Sequence, residues 1–249
     1  MSKKILAIAA ALATMTLVGS ASAEEFGSDG QIILGADRLW GLSMYKITDT
    51  TKMSGQPDSE SEDSHTGINF LVTNPDNPYV LPRLAFDYAV SGGITVGGSL
   101  GYASGSGKTK ATKPVAGPET DLPETSLIFF APRAGYVVPI TDGVYFWPRA
   151  GVTYYSAKSK ATDTITVGGQ PTTYTVEATI SGLSLNIEPM FVISPFEHVG
   201  ITIGPVLDKS LSGTKETKVD PDPNAGAAKP EHTFSEINYG IASGIIGWF

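Results

Sequence analysis

The sequence predicts an all-β fold, an antiparallel up-and-down transmembrane β-barrel, and three features lead to this prediction. The amino terminus has the pattern of an export signal, which directs a chain out of the cytoplasm. No later segment is long and apolar enough to cross a bilayer as a helix. Segments of alternating apolar and polar residues are joined by connections that are short and long in turn. Strands that cross a membrane must close into a barrel, because an open edge would leave backbone groups unpaired in hydrocarbon.

Residues 1–23 are interpreted as a signal peptide that is cleaved from the mature domain, residues 24–249. Lys3 and Lys4 precede an apolar run, and Ala21-Ser22-Ala23 supplies the small residues of a cleavage site. A transmembrane helix is the alternative, but the apolar run is shorter than the roughly 20 residues that a span requires.

The charge and composition of the mature domain exclude several classes of function. The formal net charge of −8 becomes −10 once the two signal lysines are removed, and an acidic chain is a poor partner for nucleic acid. The sequence contains no cysteine, which excludes disulfide bonds, thiolate nucleophiles and cysteine metal sites. Glycine is spread through the apparent strands, as suits a curved sheet.

The clearest alternation runs from Gly93 to Tyr102, where apolar side chains occupy every second position over most of the segment. The same template predicts eight strands, at about 30–47, 79–90, 93–105, 125–138, 143–158, 174–193, 197–211 and 232–249. An apolar stretch from Ile68 to Val72 leaves a ten-strand barrel as an alternative.

The connections between these strands predict which side of the membrane each end of the barrel faces. Three connections are tight, and four are long and polar, at 48–78, 106–124, 159–173 and 212–231. Outer-membrane barrels have short periplasmic turns and long external loops. The strict alternation therefore places both termini in the periplasm and the four long loops outside the cell.

The last strand carries the resemblance to a known family. Tyr239, Ile241, Ile245 and the terminal Phe249 alternate along it, and this end resembles that of the bacterial outer-membrane barrel superfamily, whose final aromatic residue is read by the barrel assembly machinery. Ser243 departs from the family's usual apolar choice. The layout of strands and loops is similar to the eight-stranded outer membrane protein A and X type. The resemblance implies a Gram-negative outer-membrane location, with membrane lipid, lipopolysaccharide and the assembly machinery as partners.

Charged residues of the strands fall on the face opposite the apolar one. With the apolar face outward, the inward charges are Asp37, Arg83, Asp87, Arg133, Arg149, Glu188 and Asp208. Arginine suits buried pairing with carboxylates, and an eight-stranded barrel is only about wide enough for its own side chains. We therefore expect a polar interior filled by ion pairs. The alternative is that the same charges line a narrow path for ions.

The function predicted from these features is that of a non-enzymatic barrel with a structural or surface-interaction role. A porin-like channel for small solutes or ions is the alternative. A lipid-modifying enzyme is a third hypothesis, with His65 and Ser64 or His232 and Ser235 as candidate residues. The sequence predicts no cofactor and no metal site, because its acidic loop runs lack the spacing of a calcium-binding loop. It identifies no ligand for the external loops.

Overall fold

The protein is a closed antiparallel barrel of eight strands. The computed structural model describes residues 25–52, 57–71, 77–110, 119–167, 170–221 and 231–249, so the predicted signal peptide lies outside the described residues. In chain order the strands are β1 (Ile32–Lys52), β2 (Ser59–Phe70), β3 (Arg83–Ser91), β4 (Ile94–Gly105), β5 (Lys108–Lys110), β6 (Glu119–Asp121), β7 (Glu124–Tyr136), β8 (Val138–Thr141), β9 (Val144–Val167), β10 (Gln170–Phe196), β11 (Val199–Asp220) and β12 (Glu231–Trp248).

The ring is closed by backbone pairing between the first and last strands. It follows the order β1, β3, β4, β7, β9, β10, β11 and β12, and β12 pairs with β1 from Lys52↔Glu231 to Ile33↔Trp248. The N–H of Ile32 and the carbonyl of Phe249 are 3.0 Å apart at the same end of the barrel. The predicted eight-stranded, up-and-down barrel is therefore confirmed.

The two ends of the barrel differ in how their strands are joined. At one end, which we call the short-turn end, tight turns at 92–93, 142–143 and 197–198 connect neighbouring strands. At the other, the long-hairpin end, β9 and β10 remain paired as far as Val167↔Gln170, and β11 continues to Asp220.

The prediction that 159–173 and 212–231 are connections outside the strands is therefore wrong for residues 159–167, 170–173 and 212–220, which belong to β9, β10 and β11. These tracts are polar, but they contain threonine, a residue that favours strands. A strand that is polar on both faces shows no alternation of apolar and polar residues, so its sequence lacks the pattern by which a half-buried strand is recognised.

The first long connection contains an additional strand outside the ring. β2 pairs with the part of β1 nearer the long-hairpin end, from Trp40↔Phe70 to Thr51↔Ser59. β3 pairs with the part nearer the short-turn end, from Ile32↔Tyr88 to Asp37↔Arg83. The apolar stretch that begins at Ile68 thus extends a hairpin and does not enlarge the ring.

Residues 77–82, which we call the strap, enter the barrel instead of forming its wall. Tyr79 and Leu81 are buried there against inward side chains of β4, β7, β9 and β12. The predicted strand at 79–90 therefore begins at Arg83. The apolar residues of the strap alternate as they would in a strand, but β2 already pairs with the part of β1 beside which they would have to lie.

A bulge in β1 sets the orientation of two charged residues. The register between β1 and β12 shifts between Ala36 and Trp40, and Arg38 has a positive φ of 55°. The extra residues let Asp37 and Arg38, although adjacent in sequence, both be buried in the interior.

Inward glycines permit close approach of neighbouring strands where the wall curves. A Cβ on Gly240 of β12 would lie 2.9 Å from the carbonyl carbon of Leu42 and 3.0 Å from the Cα of Ser43. Only glycine fits this crossing of β12 and β1 without moving the backbone.

The outward face forms a belt of aliphatic and aromatic side chains. Along β10 it runs from Leu183 to Ile193, roughly 33 Å of strand and about 25 Å of height at a tilt near 40°. Exposed aromatic residues of this face include Phe86, Tyr88, Tyr102, Phe130, Tyr136, Tyr154, Phe191 and Tyr239. Among the described residues, no helix is long and apolar enough to cross a bilayer.

Candidate functional site

The interior of the barrel brings together all seven charged residues that the sequence analysis assigned to it. Each of them is buried, and Arg38 joins them from the bulge in β1. Arg38, Arg133 and Arg149 form ion pairs with four carboxylates, those of Asp37, Asp87, Glu188 and Asp208, and Arg83 is buried in the same interior without an ion pair among the described residues. We call this group of arginines and carboxylates the charge network.

Arg133 of β7 lies at the centre of the charge network. Its Nε donates to Oδ1 of Asp87 at 3.0 Å and its Nη2 to Oδ2 of the same carboxylate at 2.5 Å. Its Nη1 donates to Oδ2 of Asp37 at 2.5 Å. This fork geometry uses the planar guanidinium in a way that a lysine ammonium cannot reproduce.

Arg38 and Arg149 bind the remaining carboxylates of the charge network. Arg38 reaches Oε1 of Glu188 at 2.7 Å and both oxygens of Asp208, at 2.8 and 2.9 Å. Arg149 lies 2.7 Å from Oε2 of Glu188 and 3.3 Å from Oδ1 of Asp37. The amides of Asn186 and Asn238 donate to Asp208 at 2.6 and 2.9 Å, so this carboxylate is held from three strands.

Arg83 is the least paired of the four arginines. Its guanidinium carbon lies 4.7 Å from the ring centroid of Phe129, a cation–π geometry. Its Nη2 donates to the carbonyl of Pro78 in the strap at 3.5 Å, and its Nε has no hydrogen-bond partner among the described residues.

A buried carboxylate that the sequence analysis missed lies on the long-hairpin side of the charge network. Glu236 of β12 accepts hydrogen bonds from three tyrosine hydroxyls: Tyr45 at 2.5 Å, Tyr79 at 2.8 Å, and Tyr155. Three neutral donors satisfy this carboxylate where no arginine reaches it among the described side chains.

Tyr79 anchors the strap to the barrel wall through two further contacts. The hydroxyl of Tyr79 also lies 2.5 Å from Oγ of Ser184, and Nη1 of Arg38 donates to its backbone carbonyl at 2.5 Å. Tyr79 and Leu81 pack with inward residues such as Leu127, Phe129 and Phe234 in a cluster that we call the upper apolar layer. The upper half of the interior is therefore filled partly by a segment that is not wall.

A second apolar cluster closes the short-turn end. Phe26, which precedes β1, makes edge-to-face contacts with Tyr145, Trp147 and Trp248 at centroid distances of 5.1 to 5.4 Å. The other members of this lower apolar layer are Ile33, Val137, Val192 and Ile246. Trp147 also lies under Arg149, at 4.6 Å. The charge network is thus enclosed between two apolar layers.

Arg38 also escaped the sequence analysis, although a signal for it existed. Strict alternation from Asp37 would have put Arg38 on the apolar outward face, where an arginine is costly in a membrane barrel. That conflict indicates a bulge, which the structure contains. For Glu236 the signal was alternation itself, because the residue lies between the outward positions of Ser235 and Ile237.

The residues proposed for lipid-modifying catalysis do not form pairs. Ser64 and His65 are adjacent in β2, so their side chains point to opposite faces. Ser235 of β12 is exposed, whereas His232 lies on the inward face with Nδ1 at 3.1 Å from Oγ1 of Thr51. Among the described residues no cluster of three His, Asp or Glu side chains has the arrangement of a metal site.

The residues of the terminal aromatic pattern lie on one face. Tyr239, Ile241 and Phe249 are exposed on the outward side of β12 and its end, and Ile245 is half-buried beside them.

Comparisons with known proteins give structural matches only. No protein-family model and no curated protein matches the sequence. The fold is similar to the outer-membrane protease OmpT of Escherichia coli, with 7% identity, 94% of this chain and 100% of that chain covered, and a TM-score of 0.45. It is also similar to OprG of Pseudomonas aeruginosa, with 11% identity, 90% and 99% coverage and a TM-score of 0.44. Ail of Yersinia pestis matches at 14% identity, 88% and 99% coverage and a TM-score of 0.29.

Proposed function

We propose that this chain is a non-enzymatic integral outer-membrane β-barrel whose interior is filled by its own side chains. Its role would be structural or would lie in contacts made by the long hairpins. The outward apolar belt supports insertion, because its height of about 25 Å is that of the apolar band of outer-membrane barrels. Both termini and the short turns would then face the periplasm, and the long hairpins would lie outside the cell.

The enclosed charge network is the observation that carries the proposal. Four arginines and four carboxylates balance one another and are buried between the upper and lower apolar layers. An ion that crossed this layer would have to displace pairs that are hydrogen-bonded across several strands, and breaking one buried pair costs about 3–5 kcal/mol. A passive pore would instead need charges that face water.

Ion conductance in planar bilayers tests the filled interior. The mature protein, refolded into vesicles and fused with the bilayer in high salt, is expected to give no discrete current steps. Insertion is verified by heat-modifiable gel mobility of the same vesicles. Stable steps whose size changes in Arg133→Gln and Arg149→Gln, but not in the outward control Lys209→Gln, would make the protein a porin-like channel.

Cysteine labelling on intact cells tests the proposed orientation. The chain has no cysteine, so each single-cysteine variant reports one position. A membrane-impermeant maleimide should label Ser61→Cys in β2, and it should label Asp142→Cys in a short turn only after the outer membrane is permeabilised. The reverse pattern would contradict the orientation.

The absence of enzymatic activity is tested on lipid A from cells that express the protein. We expect its mass to be unchanged. A mass change that disappears in His232→Ala would identify a lipid-modifying enzyme and locate its site beside Thr51.

The outward aromatic pattern of β12 is proposed as a signal for the barrel assembly machinery. Phe249→Ala should lower the membrane-inserted fraction in cells while leaving refolding into pure vesicles unchanged. Phe196→Ala is the matched control, because Phe196 is an exposed aromatic residue at the same short-turn end. Equal losses in both variants, or a loss that also occurs in vesicles, would contradict a signalling role.

A further inference from the structure

The outward faces of four neighbouring strands change abruptly from apolar to polar near the long-hairpin end. Cross-strand pairing puts Leu100, Phe130, Tyr154 and Leu183 in one row. The next row contains Tyr102, Ile128, Ser156 and Ser181, and the one above it contains Ser104, Ser126, Lys158 and Thr179. Four residues of strand, roughly 13 Å, thus separate the wholly apolar row from the row of hydroxyls with one ammonium group, and the mixed row of Tyr102 and Ile128 with two serines lies between them.

A polar cleft of about 660 Å³ opens on this face above the last apolar row. Tyr102 forms its lower border, Ser104, Ser106, Ser126 and Lys158 contribute donors to its lining, and Lys160, Glu124 and Glu177 line its part further from the apolar belt. Further from the apolar belt, Lys160 lies in register between Glu124 and Glu177, which offset its charge. Lys158 has Ser126 and Thr179 as its direct cross-strand neighbours, neither of which is a carboxylate, and Glu124 and Glu177 lie two residues further along the same strands.

Two other outward lysines have different surroundings. The Nζ of Lys46 lies 2.7 Å from a carboxylate oxygen of Glu62 in β2, so its charge is offset within the chain. The Nζ of Lys209 donates to Oγ of Ser235 at 3.4 Å and does not line the cleft. Lys158 thus differs from both by its position in a cleft of hydroxyl groups.

We infer that this cleft binds the phosphate group of a membrane lipid whose acyl chains lie against the apolar row below. This inference rests on the proposed membrane location. The chemistry fits a phosphate, because an ammonium group and several hydroxyls offer donors to an anion with several acceptor oxygens. The position fits a lipid, because phosphate esters lie at the border of the hydrocarbon, directly above the Tyr102, Phe130 and Tyr154 rings.

Native mass spectrometry of the mature barrel released from detergent micelles tests the site. The lipids added are lipid A with two phosphates, the same lipid A after enzymatic dephosphorylation, and phosphatidylethanolamine. The wild-type barrel should retain at least one of the phosphate lipids and should not retain the dephosphorylated one. Lys158→Gln should weaken retention about tenfold, as expected for the loss of one charge-assisted hydrogen bond, whereas Lys209→Gln should leave it unchanged.

The outcomes separate the site from the membrane location. Retention of lipid A or of phosphatidylethanolamine identifies the source of the phosphate and supports the site. Equal loss in Lys158→Gln and Lys209→Gln, or equal retention of dephosphorylated lipid A, overturns it. Flotation of the refolded protein with lipid vesicles checks membrane insertion independently: a barrel that floats without phosphate selectivity refutes the site alone, and a barrel that does not float refutes the membrane location itself.

Discussion

Removing the charge of Arg133 should destabilise the barrel strongly, because two buried carboxylates would lose their closest partner. The substitution Arg133→Gln deletes two hydrogen bonds to Asp87, at 3.0 and 2.5 Å, and one to Asp37, at 2.5 Å. It leaves three arginines against four carboxylates in the charge network. Breaking a buried pair by removing one partner costs about 3–5 kcal/mol, and we expect a loss of unfolding free energy in that range.

Restoring the balance of charge should recover part of this loss. Asp87→Asn alone should also cost about 3–5 kcal/mol, since it leaves Arg133 without its bidentate partner. The double variant leaves three arginines against three carboxylates. Its cost should therefore fall below the sum of the single costs by about 2–3 kcal/mol, as expected for residues in direct contact.

The assay is equilibrium unfolding in urea of the protein refolded into vesicles. Tryptophan fluorescence reports unfolding, since Trp147 lies under Arg133 and Arg149, and heat-modifiable gel mobility reports closure of the barrel. Lys209→Gln serves as a surface control and should change the stability by less than about 0.5 kcal/mol. Additive costs in the double variant, or a cost below about 1 kcal/mol for Arg133→Gln, would refute the view that these ion pairs hold the interior together.

Three further perturbations test the strap, the lower apolar layer and the crossing of β12 with β1. Tyr79→Phe, which removes the hydroxyl shared by Glu236 and Ser184, should cost about 1–3 kcal/mol in the same urea assay; an unchanged midpoint would mean that the strap is not held by this group. Phe26→Ala should cost about 3–5 kcal/mol because it leaves a cavity in the lower apolar layer, and a loss under about 1 kcal/mol would indicate that Phe26 packs only loosely there. Gly240→Ala should greatly reduce the refolded fraction on unboiled gels. Gly67→Ala is the control and should refold normally, because an added Cβ there meets nothing within 4 Å. Equal refolding yields would contradict the close approach of β12 and β1.

The number of strands was predictable because each strand of the wall has an apolar outward face and a different, inward face. Alternation of period two survives wherever the outward side is apolar, as between Ile94 and Tyr102. It fails at the long-hairpin end, where both faces of β9, β10 and β11 are polar and the strands continue without a periodic signal. There the extent of pairing depends on neighbouring strands and not on local sequence.

The interior was predictable in its charges but not in its filling. The seven expected charged residues are inward because arginine and aspartate cannot remain on an apolar outward face. The strap was missed because Tyr79 and Leu81 alternate as a strand does, and only the pairing of β2 with β1 displaces them from the wall. A single sequence does not reveal which of two apolar segments, Ile68 to Phe70 or Tyr79 to Leu81, will occupy the edge of β1.

The seam between β1 and β12 has a consequence for the order in which the barrel is built. It joins residues from opposite ends of the described chain, such as Ile32 and Phe249, and Phe26 packs on Trp248 beside it. Contacts of such long sequence separation form late, because the entropy of closing a long loop must be overcome first. Until that step a curved sheet would expose its arginines and carboxylates to water. All of these groups would then lose their water in the same step, when the barrel closes. Water would therefore be excluded from the interior only when β12 pairs with β1.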